Sequence, residues 1–182
     1  MGEMGALTDI QMYDLARRMG VDLCFCSFKD NLEDETLQYN RSYVINLENK
    51  IDEDGEPNTG SHYTCFQVNK NKDGKIQGVY FDSYGAPPPQ IVDTFVGFKL
   101  PYQNKDVQSL MSSACGFFCL AFLHFINSSQ FRSGDLYTDC AQFTDLFEDM
   151  NVSMEHKKNE YVLKHFFRST DEEERKRKPV EV

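Results

Sequence analysis

Gly60-Ser61-His62-Tyr63-Thr64-Cys65, then Tyr80-Phe81-Asp82-Ser83-Tyr84-Gly85, then Gln108, and finally Ser113-Ala114-Cys115-Gly116-Phe117-Phe118-Cys119: these segments decide how the chain folds. His62 opens a run to Asn69 that alternates well enough for a strand, and Gly78 to Phe81 makes a second. Asn71 to Gly74 between them is a turn of the Asn/Asp/Gly type, so the two runs read as a hairpin. In a hairpin, a histidine that opens one strand and an aspartate that closes the next can meet at one edge of the sheet. Cys115 starts a helix that runs to Asn127 and is apolar nearly all round, a pattern that belongs at the centre of a domain. Ser112 or Ser113 is its expected cap.

Working outward, Thr8 to Gly20 reads as a helix, with Thr8 as cap and Gly20 as terminator. Ser42 to Leu47 is a strand. Lys50 to Gly60, rich in Asp, Glu, Gly and Pro, is a loop. Gly85 to Pro89 breaks the chain sharply, because Pro87, Pro88 and Pro89 cannot continue a strand ladder. A short helix is expected over Ile91 to Phe98, and two more over Thr138 to Met150 and Ser153 to Phe167. Residues 1–169 then form one domain. Residues 170–182, acidic and then basic with no apolar pattern, are expected to be a disordered tail.

The chain has 182 residues, of which 40% are hydrophobic, enough for a single core without disulfide staples. Its net charge of −10 argues against non-specific nucleic-acid binding, which draws on Lys and Arg to release counterions. The imbalance sits in the first 60 residues, where 13 acidic residues face 5 basic ones. No run is long enough to span a membrane, and Met1 is not followed by a secretory signal. The expected setting is the cell interior, with the six cysteines reduced.

The quoted residues suit thiol chemistry. A thiolate is the reactive form of cysteine, and a helix N-terminus stabilises it through unpaired backbone N–H groups and the helix dipole. A neighbouring imidazolium lowers the thiol pKa further and can protonate a leaving amine. A carboxylate on the far ring nitrogen fixes the tautomer. The Gln108 amide could join the Cys115 backbone N–H in binding an oxyanion. Gly116 is expected to leave the floor beside the thiol open.

The order of His, Asp within Phe-Asp-Ser-Tyr-Gly, Gln, then Cys-Gly-x-Phe-Cys resembles the adenovirus protease (adenain) family. It looks most like the relatives carried by virophages, large DNA viruses and Maverick/Polinton elements; SUMO-deconjugating proteases are more distant. The resemblance covers about Leu7 to Ser128. It implies an α+β, papain-like fold, with a central helix carrying the nucleophile on a mixed or antiparallel sheet. It implies a cysteine endopeptidase that needs no metal or organic cofactor, with Cys115 as nucleophile, His62 as base, Asp82 as third member and Gln108 in the oxyanion hole. Tyr63, where the family usually has Trp, is expected to pack on the imidazole. Tyr63, Tyr84 and Phe117 are expected to wall a narrow channel for substrate with glycine before the scissile bond. The third member is Asp where the adenovirus enzymes have Glu; relatives use either. The implied role is maturation of capsid or other virion precursor proteins, in the virion and the host-cell interior. Cleavage of ubiquitin-like conjugates, or a non-catalytic binding module on the same fold, are the alternatives. Adenovirus members are stimulated by DNA and by a disulfide-linked peptide. The charge argues against DNA dependence here, and Cys140 could accept such a peptide only if exposed, whereas free cysteine is usually buried.

Plainer readings stand beside these. Cys65 and Cys119 read as core thiols. Cys24 and Cys26, two apart in a strand-like run, should point the same way into the core. His62, Cys65, Cys115 and Cys119 could in principle ligate zinc, but paired Cys-x-x-Cys knuckles are absent. His124 reads as a hydrogen-bonded core histidine, and His156 and His165 as surface residues.

Overall fold

A computed structural model of the chain describes residues 4–109, 112–151 and 156–177, with side chains through Ser169 apart from that of His156. Helix α1, Asp9–Arg18, begins at a capping box in which the Thr8 hydroxyl accepts from the Gln11 N–H and the Gln11 side chain accepts from the Thr8 N–H. Four strands follow: β1 at Leu23–Phe28, β2 at Arg41–Asn46, β3 at Tyr63–Lys70 and β4 at Ile76–Phe81. They form one mixed sheet in sequence order, with β1 parallel to β2 and the other neighbours antiparallel. The β3–β4 hairpin closes through the expected turn, where the Asn71 side chain accepts from the N–H groups of Asp73 and Lys75. Helix α2 is Gln90–Val96, α3 is Cys115–Asn127, α4 is Leu136–Thr144 and α5 is His156–Arg177. The architecture is α+β. Among the described residues no helix is long and apolar enough to cross a membrane.

Strand alternation sends side chains to two separate cores. Val44, Cys65, Val79 and Phe81 face α1, α3, α4 and α5. Tyr43, Ile45, Phe66, Val68 and Tyr80 face α2 and a 3-10 turn at Lys29–Asp34. The larger core is aromatic at its centre. Phe81 of β4 stacks on Phe122 of α3 with centroids 4.7 Å apart, and Phe143 of α4 meets both rings edge-on. α3 lies along β3 with its N-terminus near Tyr63 and its C-terminal Asn127 hydrogen-bonded to Gln67.

Several expectations need correction. Cys24 and Cys26 do not share a face: the β1–β2 register shifts between Leu23 and Phe25, a bulge that leaves Cys24 with the smaller core and Cys26 with the larger. Neither Ser112 nor Ser113 caps α3. Its N-cap is Ala114, without a side-chain cap, while the Ser112 hydroxyl accepts from the Ala114 N–H one step upstream. α4 starts earlier and ends sooner than expected. Asp135 caps it by accepting from Thr138, and beyond Thr144 the chain turns so that Phe147 enters the core. Ser153 lies outside the described residues, and the helix expected from there begins at His156. The backbone of the supposed tail is helical as far as Arg177. Asp171, Glu172 and Glu173 each precede a basic residue by four positions, the spacing that supports a helix without an apolar face. Residues 178–182 lie outside the described residues.

Replacing Phe122 with Ala should destabilise the fold by about 3–5 kcal/mol, since the ring is fully buried between two aromatic partners. Urea denaturation followed by circular dichroism measures this. A loss below about 1 kcal/mol would mean that this cluster does not organise the core.

Candidate active site

The hairpin register places the first part of the site. Cys65 pairs with Phe81, and extending that antiparallel ladder three residues outward brings His62 opposite Tyr84. The two rings are stacked, with centroids 4.4 Å apart and planes 24° from parallel. A tight turn from Asp82 to Gly85 follows β4. The Gly85 N–H donates to the Asp82 carbonyl, and the Tyr84 N–H to the Asp82 carboxylate. Gly85 has a φ of +77°, and a Cβ there would lie 2.8 Å from the Asn104 backbone, so this corner admits only glycine without displacement.

Within this frame, His62 Nε2 donates to Asp82 Oδ1 at 2.7 Å, and the carboxylate is almost fully buried. That leaves Nδ1 free to act on the Cys115 thiol, and each of the two groups shifts the other's pKa. Burial alone would push the His62 pKa down, but the hydrogen bonds to Asp82 and Cys115 and their charges outweigh it and raise it to about 9. Cys115 responds in the opposite sense. Burial opposes its ionisation, yet the His62 hydrogen bond, the Tyr63 and Gly116 backbone N–H groups and the imidazolium charge together hold its pKa below the ordinary value. The uncapped start of α3 adds to this, because no side chain competes there for the helix's first N–H groups.

The other buried thiols behave differently. Desolvation pushes Cys119, one turn further along α3, well up, and raises Cys140 to about 12. Cys140 is fully enclosed in α4 and presents no exposed thiol. The pair Cys65 and Cys119 sits in the core, donating to the Cys119 and Tyr63 carbonyls respectively. Among the described residues no group of three or more His, Cys, Asp or Glu side chains could hold a metal ion. His124 is hydrogen-bonded to the Met19 carbonyl, and the His165 side chain is exposed.

Gln108 lies in the segment that leads to α3 and is buried. Its backbone N–H donates to the Ser83 carbonyl, its Nε2 donates to the Ser112 carbonyl at 2.9 Å, and its Oε1 accepts from the Ser83 hydroxyl. The structure thus hydrogen-bonds His62 to Asp82, sets Cys115 within electrostatic reach of the imidazole, and ties Gln108 to both Ser83 and the entry of α3.

The expected substrate walls fare unevenly. Tyr84 covers the imidazole. Tyr63 does not, because strand alternation turns it away from His62. Its ring is buried and its hydroxyl donates to Asp9 of α1, so its link to Cys115 is through the backbone. Phe117 follows Cys115 by two residues and so lies about 200° further round the helix. It packs edge-on against Phe167 of α5 and lines a groove with Leu7, Ile10 and Leu15 of the α1 region. Gly116 is not an open floor either. A Cβ there would lie 2.8 Å from Met12 Sδ, so this glycine lets α1 close against α3. Sequence reasoning missed Ser83, whose signal was its adjacency to Asp82. It also missed Asp9, which is 54 residues from Tyr63 and gave no local signal.

His62→Ala should move the midpoint of Cys115 alkylation above the ordinary thiol value of 9.0, because burial then meets less opposition. In the wild type the midpoint should lie below that value. Iodoacetamide labelling as a function of pH, with peptide mass spectrometry, measures both. An unchanged midpoint in the variant would show that the imidazole does not hold the thiolate.

No protein-family model matches the chain, and a search of curated proteins returns no match.

Proposed function

We propose that this chain is a cysteine endopeptidase with the layout of the adenain-like proteases. The observation that carries the reading is the buried Asp82–His62 hydrogen bond set beside Cys115 at the uncapped start of α3, an environment that favours a thiolate next to an imidazolium. In this reaction the Cys115 thiolate adds to the peptide carbonyl carbon and the C=O electron pair moves onto oxygen. The oxyanion lies between the N–H at the start of α3 and the Gln108 amide. The C–N bond then breaks as the His62 imidazolium gives its proton to the departing amine, leaving an acyl thioester. His62, now neutral, takes a proton from water, hydroxide adds to the thioester, and the thiolate leaves. Asp82 keeps Nε2 protonated throughout and so keeps Nδ1 directed at sulfur.

The substrate class comes from the resemblance of Leu7 to Ser128. It supports maturation of capsid or other virion precursor proteins at glycine-rich sites, inside the host cell and the virion. Tyr84, over the imidazole, is the wall residue that the geometry favours.

Cleavage of a recombinant capsid precursor tests the reading. Cys115→Ala should abolish cleavage and leave the fold intact, and His62→Ala should cost nearly as much, since the two act as a unit. Gln108→Ala should lower kcat by about 10²–10³ with little change in KM. Activity should also fall as pH rises through about 9, where His62 loses the proton needed by the leaving amine. Full activity in Cys115→Ala would end the proposal.

A further inference from the structure

Ser83 is fully buried and Gln108 nearly so, and they meet at two levels. The Ser83 carbonyl accepts from the backbone N–H groups of Val107 and Gln108 at 2.8 and 3.1 Å. The Ser83 hydroxyl lies 2.5 Å from Gln108 Oε1. The direction of that bond follows from elimination. Ser112 O, 2.9 Å from the far end of the amide, is a carbonyl and can only accept, so the NH₂ group must face it. Oε1 therefore faces Ser83, and a carbonyl oxygen facing a hydroxyl obliges the hydroxyl to donate. Gln108 Nε2 carries two protons. One is held by Ser112 O, and the other has no acceptor among the described residues. Nε2 itself sits 2.9 Å from the carbonyl of Ser112, three residues before Cys115.

We propose that Ser83 is a positioning residue for the oxyanion donor: its hydroxyl locks the Gln108 amide in one rotamer with the spare Nε2 proton presented to the reaction centre. This rests on the reading of Gln108 as an oxyanion donor. Without the Ser83 hydroxyl, Oε1 would be a buried acceptor with no partner, and the amide would gain by rotating away from Ser112. Donation into Oε1 also polarises the amide, which strengthens donation from its nitrogen. Asp82 and Ser83 thus divide the site between them. The first fixes the imidazole, the second fixes the amide, and one turn of backbone carries both.

A peptide aldehyde ending in glycinal separates this role from simple structural support. The Cys115 thiolate adds to the aldehyde carbon, the C=O pair becomes an alkoxide, and the alkoxide takes the His62 proton to give a hemithioacetal. Its oxygen occupies the oxyanion position. Alkylation by iodoacetamide displaces iodide from carbon and generates no oxyanion. Ser83→Ala should therefore weaken aldehyde binding and lower kcat by about tenfold, the effect of one hydrogen bond, with KM and the iodoacetamide rate at Cys115 unchanged. Ser83→Thr, which keeps the hydroxyl, should recover part of the loss. In a Gln108→Ala background, Ser83→Ala should cost nothing more. Equal losses in aldehyde binding and alkylation would show that Ser83 only supports the fold near Cys115, and would overturn the inference. Unchanged aldehyde binding in Ser83→Ala, with a loss in Gln108→Ala, would also overturn it while leaving the peptidase reading intact. A wild-type protein that neither binds the aldehyde nor alkylates selectively at Cys115 would instead remove the peptidase reading on which the inference stands.

Discussion

The structure depends on the burial of α3. A helix apolar on nearly every side has no stable position except between a sheet and other helices. Here the sheet supplies one wall through Cys65, Val79 and Phe81, and α1, α4 and α5 supply the rest. Because α3 lies along β3 in the same direction, its first residue emerges at the sheet edge where β3 begins. The antiparallel hairpin brings the end of β4 to that same edge. Cys115, His62 and Asp82 therefore meet through topology, before any fine adjustment of side chains.

Burial also sets the electrostatic problem that the polar groups answer. Removed from water, a thiol resists ionisation, as Cys119 and Cys140 do. Cys115 is buried too, yet its helix end is uncapped, and the His62 imidazole and the Tyr63 and Gly116 backbone N–H groups favour its thiolate. Two cysteines one turn apart on a single helix thus differ both in depth and in the groups around the sulfur. His62 in turn keeps its charge because a buried carboxylate holds its other nitrogen.

Much of this could be read from residue order. Period-two alternation marks β3 and β4, the Asn71–Gly74 turn marks their pairing, and the apolar run after Cys115 marks the central helix; each signal is local. What escaped was set at a distance or by a local irregularity. The bulge that parts Cys24 from Cys26 depends on pairing with β2. Side-chain direction misled at Tyr63 and Phe117, because adjacency to His62 and Cys115 in sequence does not survive strand alternation or helix rotation. The link from Asp9 to Tyr63 joins two elements with two strands between them in sequence. The helical continuation to Arg177 runs through residues without an apolar pattern, the signal from which helices were read.

The contact between Gly116 and Met12 bears on how such a sequence can drift. The two positions share one small volume, because a Cβ at 116 would lie 2.8 Å from the Met12 sulfur. Alanine at 116 would require the flexible Met12 side chain to swing aside or be shortened, and a shorter residue at 12 would leave a void beside the reactive helix. A change at either position is therefore felt at the other, although 104 positions separate them in sequence.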